Sequence, residues 1–320
     1  MDANLTIEDI ILSNDQRGIS ELRDLVPPDS CARAAELVLD NTGTILITTG
    51  FYILSAGAAE TDGPPGAIAI GVGLEQLGYK VKYVADEYSS MLLRPYVAES
   101  TDVIDFPITT LTKSVQYAEE ILSAENPSVL ISIERCAAAA DGLYRNMRDL
   151  DISDQTAKVD LLFDMHSKTI GIGDGGNEIG LGNVKDGVEK SETLVSYPAV
   201  SKVTELIIAS VSNWGGYGLL AALSISAGEN ILPTIDEDTQ RISDMVDLGA
   251  VDGFSGEQIY KVDGFDLAEN AALLESLHKL VNGALTSRSD RYKKPEDSNR
   301  TDRNPLMLSL KLIPYFRLKM

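Results

Sequence analysis

Several ordinary ingredients are scarce in this chain. Its 320 residues include two cysteines, Cys31 and Cys136, and two histidines, His166 and His278. Two cysteines cannot build a disulfide framework. Two histidines far apart, with no partner motif, argue against a His-ligated zinc centre. Long hydrophobic runs are missing as well: none approaches the roughly 18–20 apolar residues of a membrane span. Positive charge is in short supply, with 27 Lys/Arg against 49 Asp/Glu and a net charge of −22. Phosphate neutralisation needs clustered Lys and Arg, so a nucleic-acid partner is not expected, nor is a membrane. No GxSxG elbow, Walker A sequence or CxxC pair occurs. The opening residues MDANLTIEDI carry acids where a targeting peptide carries Lys or Arg, so the expected location is cytoplasmic.

What remains is globular in character, with 44% apolar and 24% charged residues. Strand and helix patterns alternate. Thr44–Thr49 is a β-branched run ending at Gly50. Ala67–Leu77 has helical spacing and closes at Gly78, and Lys80–Ala85 alternates as a strand, which makes one βαβ unit. Thr110–Ala124 reads as helix, Ser128–Glu134 as strand, Ala157–Met165 as helix and Lys168–Ile172 as strand. Val203–Ser210 is apolar and of undecided type. Trp214–Ser226, Asp236–Leu248 and Asp266–Gly283 read as helices. The expected fold is α/β: a doubly wound, mostly parallel open sheet with helices on both faces. One such domain is expected over residues 1–285, followed by a basic extension over 286–320. That extension has nine Lys/Arg against four Asp/Glu, the inverse of the body, and suits a docking arm or a loose terminus.

Ligands of such sheets sit beyond the carboxyl ends of strands. The motifs cluster there. Gly171–Asn183 (GIGDGGNEIGLGN) follows a strand, and its glycines allow close backbone approach and an anion nest of N–H groups. Asp174, Asn177 and Glu178 within it are oxygen donors of the kind Mg²⁺ or Mn²⁺ prefers. The same glycines satisfy GxGxxG, but Asp174 would stand where a pyrophosphate must approach. Glu60-Thr-Asp62-Gly-Pro-Pro-Gly66 precedes a helix, with Asp62 readable as its N-cap and Glu60 unexplained. Glu134-Arg135 closes an apolar strand, where a carboxylate must be paired or put to use. Beyond it lie Asp141, Arg145, Asn146 and Arg148, a surface turn or a carboxylate clamp. Cys136 has no evident His base. Trp214 suits the core, and Asn213 reads as a helix cap.

In order along the chain stand Asn14-Asp-Gln-Arg17-Gly18, Thr48-Thr-Gly50-Phe51, Glu60 to Ala67, Ile133-Glu-Arg135, Asp141 to Met147, Ile172-Gly-Asp-Gly-Gly-Asn-Glu-Ile-Gly180 and Ser212-Asn-Trp-Gly215. This series resembles the D-glutamate cyclase C-terminal domain family, from about Ile7 to Leu285. One departure is Cys136–Ala140, where the family tends to have Pro-Gly. The resemblance implies closure of D-glutamate to 5-oxo-D-proline with loss of water, on a small acidic amino acid, with self-association left open. A divalent cation, Mg²⁺ or Mn²⁺, is expected on Glu134, Asp174, Asn177 and Glu178; no nicotinamide, flavin or zinc is expected. Arg135 or Arg145 is expected to fix the α-carboxylate, and Asp62 or Asp141 to act as base, with Glu134 also catalytic. Arg17, Gly50, Gly173, Gly175, Gly176 and Asn213 are expected to contact substrate. A metal-dependent phosphatase and a non-catalytic amino-acid or nucleotide sensor are the rival readings.

Overall fold

The computed structural model describes residues 5–99 and 102–292. Six parallel strands form the central sheet: β1 (Thr44–Thr49), β2 (Lys80–Ala85), β3 (Val103–Asp105), β4 (Val129–Ile133), β5 (Thr169–Gly173) and β6 (Glu205–Ile208). Their order across the sheet is β3-β2-β1-β4-β5-β6. The chain winds outward from β1 in one direction, then restarts at β4 on the other side of β1. The topological switch point therefore lies between β1 and β4, where Thr49 pairs with Ile133.

Period-two burial explains why both faces are covered. Ile45, Ile47, Val129, Ile131 and Ile133 point into one core, and Leu46, Val84 and Leu130 into another. The first face carries α1 (Ile7–Ile11), α2 (Ser30–Leu39), α3 (Pro64–Gln76), α8 (Ser212–Ala227) and α10 (Leu267–Tyr292), and the second carries α5 (Leu111–Glu125) and α6 (Asp160–Asp164). This is the doubly wound α/β arrangement. Helices α4 (Glu87–Leu93), α7 (Lys185–Val188) and α9 (Ile235–Asp247) complete the set used below.

Some expected boundaries moved. The undecided run at 203–210 is strand β6, buried at Leu206, Ile207 and Ile208. The helix expected over Ala157–Met165 shrinks to α6, because Ala157 and Val159 are drawn into the core ahead of it. Helix α10 runs through residue 285 to Tyr292, so the expected domain boundary falls inside a helix. The remainder of the basic extension, 293–320, lies outside the described residues.

Candidate active site

Helices α3 and α8 start at one place, beside the switch point, and each is capped by the segment that leads into the other. The Asp62 carboxylate accepts from the backbone N–H groups of Ser212 and Asn213, both at 2.8 Å. In return the Asn213 side-chain oxygen accepts from Gly63 N (3.0 Å) and Gly66 N (2.8 Å), while its amide donates to the Thr61 carbonyl at 3.0 Å. Asp62 and Asn213 thus each satisfy the orphan donors of the neighbouring helix, not of the helix expected from sequence order. Gly66 is obligatory here, since a Cβ would lie 2.7 Å from the Asn213 oxygen. Asn213 is fully buried, and its side chain is spent on this double cap.

This double cap sets Asp62 among other acids. Glu134 follows β4 in a left-handed conformation (φ 45°), and its carboxylate accepts from Ser212 Oγ at 2.6 Å. Asp174 follows β5. Asp62, Glu134 and Asp174 are all buried and present oxygens within 4.8 Å of one another. Glu60 and Asp263 stand alongside: a Cβ on Gly253 would come within 2.7 Å of Asp263 Oδ1 and would meet the Glu60 carboxylate too. Asp263, at φ 51°, is the second left-handed non-glycine residue of the site. Residues 251–263 are pinned there by Thr61, whose N–H donates to Val251 O (2.9 Å) and whose hydroxyl donates to Lys261 O (2.6 Å).

Five buried carboxylates thus share a space with one guanidinium. Arg17 pairs with Asp174 and, at 2.7 Å, with Asp263. That cation is too little. Burial, then Asp263, pushes the Asp62 carboxyl up to about 7. Burial and the neighbouring acids hold Glu60, Glu134 and Asp174 well above the usual carboxylate range, against the pull of Arg17. Asp174 Oδ2 and Asp263 Oδ1 are buried acceptors with no donor. Orphaned hard oxygen atoms in an anionic cluster fit a divalent cation of the Mg²⁺ or Mn²⁺ type. A cavity of about 370 Å³ opens above, with Arg17, Glu60 and Glu134 among its polar lining and Phe51, Ile53, Leu54, Met147, Leu150 and Phe254 among its apolar lining.

The other expected site residues lie elsewhere or act differently. The N–H groups of Asp174, Gly175 and Gly176 do form a nest, at 3.1, 2.7 and 2.8 Å, but its anion is the Glu178 carboxylate. Glu178 therefore braces the loop, and its carboxylate takes up the Gly175 and Gly176 donors in this structure. Gly173 continues β5 and packs against Leu181 and Glu178. The Asn177 amide donates to the Arg145 carbonyl at 2.8 Å, while its Oδ1 is a buried acceptor with no donor, like Asp174 Oδ2. Arg135 is 1% exposed, pairs with Asp86 at 2.6 Å and donates to the carbonyls of Gly50 (3.0 Å) and Ala157 (2.8 Å). It is a strut between strand ends, its guanidinium engaged by these three partners. Gly50, at φ 104°, packs on Ser89 and likewise does not line the cavity. Asp141 and Arg145 form an outlying pair (2.9 Å), with Arg145 over the Tyr197 ring. That hydrogen bond lowers the Asp141 carboxyl to about 2, the wrong direction for a base. Burial raises the Cys136 thiol well above its ordinary value, which leaves it inert.

Asp263 was invisible as a site residue. Val262-Asp263-Gly264 reads as an ordinary hairpin turn. One signal was present: Val-Asp-Gly-Phe occurs twice, at 251–254 and 262–265. The copies are tied together, since the Asp252 carboxylate accepts from Gly264 N at 2.7 Å. Together they place Asp263 against Arg17 and Phe254 in the cavity wall.

Fold and site define an α/β domain whose switch point gathers buried carboxylates able to hold a metal ion. The D-glutamate cyclase-like, C-terminal family matches residues 7–278, and the chain belongs to that family. It is 31% identical over 290 residues to the human protein "D-glutamate cyclase, mitochondrial", covering 78% of this chain and 47% of that one. The chain thus spans about half the length of this curated relative. A solved exopolyphosphatase-related protein from Bacteroides fragilis aligns with a TM-score of 0.39 and 11% identity, over 86% of this chain and 62% of that one. So distant a likeness carries no argument. Among the described residues no helix is long and apolar enough to cross a membrane.

Proposed function

We propose that this chain is a metal-assisted lyase that closes D-glutamate to 5-oxo-D-proline. The observation that carries the reading is the excess of buried carboxylates over cations at the floor of a ligand-sized cavity, in a member of this family. In the reaction the α-amine attacks the γ-carboxyl carbon, a C–N bond forms, a C–O bond breaks and water leaves. Three obstacles follow: an ammonium that must lose a proton, a carboxylate that resists a nucleophile and an oxygen that leaves badly.

Asp62, Glu134 and Asp174 would hold a divalent cation, which would supply Lewis-acid polarisation of the γ-carboxylate. Glu60 is the best-placed base. It lines the cavity, and burial together with Asp263 raises its affinity for a proton, which suits it to take one from the ammonium. This moves the base from Asp62, which caps α8 and would also hold the cation, and from Asp141, which is paired outside. Arg17 holds Asp174 and Asp263 in place and keeps the cluster from repelling itself apart. The apolar walls limit water, which strengthens each charged contact. A phosphatase would draw on the glycine-loop nest, and Glu178 already fills it.

The test is incubation with D-glutamate and Mn²⁺ or Mg²⁺, following the loss of primary amine. The reading predicts consumption that EDTA abolishes and added metal restores. Unchanged amine with every divalent metal tried would overturn it.

A further inference from the structure

The acid cluster accounts for a cation and a proton acceptor but leaves a ligand carboxylate without a partner. Every other arginine whose side chain is described has an acid within ion-pair distance. Arg148 has none among the described residues, is exposed, and lines the cavity. We propose that Arg148 is the carboxylate anchor of this site, selecting ligands that carry a carboxylate away from the buried acids. The proposal rests on reading the cavity as the substrate site and adds to it the residue that sets ligand class.

Three observations support this role. The first is that the turn carrying Arg148 is held rigid by its own hydrogen bonds. The Asn146 side-chain oxygen accepts from Arg148 N (2.9 Å) and Leu150 N (3.1 Å), and Asn146 N donates to Leu150 O (3.0 Å). Asp149 takes the left-handed conformation at φ 59°, and its carboxylate accepts from Ser196 N at 3.2 Å. A backbone already fixed loses little entropy when its side chain binds a ligand. The second is the setting: Met147, Leu150 and Phe254 share the cavity wall with Arg148 and give its guanidinium apolar surface to lie along while it grips a carboxylate in bidentate fashion. The third is the distribution of charge. Arg17, the other cavity guanidinium, is already engaged by Asp174 and Asp263. Glu60 lines the cavity as acceptor for the ammonium, and a cation on the carboxylate cluster would take the γ-carboxylate, so the α-carboxylate is left to Arg148. An α-amino acid therefore has one favourable orientation, with its amine toward Glu60 and its α-carboxylate toward Arg148.

The discriminating experiment compares D-glutamate with D-isoglutamine, its α-amide, by calorimetry on Mn²⁺-loaded wild type and Arg148→Gln. Arg148→Gln should weaken D-glutamate binding about 10- to 100-fold and leave D-isoglutamine unchanged, with Arg148→Lys intermediate. Equal weakening of both ligands, or of neither, overturns the assignment. Because Arg148 is exposed, the variant should melt like the wild type. A second measurement does not depend on the cyclase reading. Phenylglyoxal modification of wild type, mapped by peptide mass, should label Arg148, and glutarate should protect it. A wild type that ignores D-glutamate while glutarate still protects Arg148 refutes the cyclase reading alone. Labelling of Arg148 that glutarate does not slow refutes the anchor.

Discussion

Two strand ends invite comparison. The loop after β5, Asp174–Gly182, is dense in glycine and carries the most distinctive string of the sequence. The segment after β1, Glu60–Gly66, reads as a helix entry with two acids to spare. In the structure the first is mostly self-satisfied: Glu178 answers its N–H groups, and Gly173 and Gly176 make room for packing side chains. The second is under-satisfied in charge, for Glu60 and Asp62 face other buried acids, and against them stand Arg17 and, for Asp62, the N–H groups of Ser212 and Asn213. Glycine density thus marks close packing here, and unpaired buried charge marks where a ligand is wanted. Asp174 alone belongs to both.

Substitutions at the two ends should part cleanly. The largest effect is expected at the carboxylate cluster. Glu134→Gln should lower turnover of D-glutamate by roughly 10³-fold and abolish saturable Mn²⁺ binding. It should also raise the melting temperature of the cation-free protein, because it removes a buried, repelled charge. Glu178→Ala should do the reverse. Losing the acceptor of three buried N–H groups should cost about 3 kcal/mol of stability, read by urea unfolding, with Mn²⁺ binding kept in the folded fraction. Equal loss of metal binding in both variants would erase the contrast.

A smaller effect comes from pH. Asp62 rises from 3.8 to about 7 in the folded protein. Between about pH 4 and 7 the folded state therefore keeps a proton that the unfolded chain has lost. Stability of the cation-free protein must then fall as pH rises through that window and level off above it. Saturating Mg²⁺ or Mn²⁺ should flatten the slope, since a cation stabilises the ionised cluster. Melting curves from pH 4 to 8, with EDTA and with metal, check this. The smallest effect is expected at Asp141→Asn, which should leave turnover within about twofold because the residue lies outside the site.

Much of the scaffold was readable because it depends on local pattern. The β-branched runs that became β1, β2, β4 and β5 bury alternate residues on two faces, and periodicity shows that directly. Strand β6 was undecided because a short apolar run does not distinguish strand from buried helix. At the site, sequence order pointed to strand ends, and Glu134 and Asp174 do meet. Roles were harder to read than places. Whether Glu178 reaches a ligand or its own backbone depends on how a five-residue loop closes, and whether Arg135 faces a cavity or Asp86 depends on a helix fifty residues earlier. Asp263 enters from a hairpin ahead of α10, at a distance no local pattern spans.

The most direct test is calorimetric titration of Mn²⁺ into chelator-treated protein, for wild type, Asp174→Asn and Glu178→Gln. Saturable binding that Asp174→Asn removes and Glu178→Gln preserves is the predicted result. Binding that survives Asp174→Asn, or a wild type that takes up no divalent cation, would contradict a cation-seeking carboxylate cluster at the switch point.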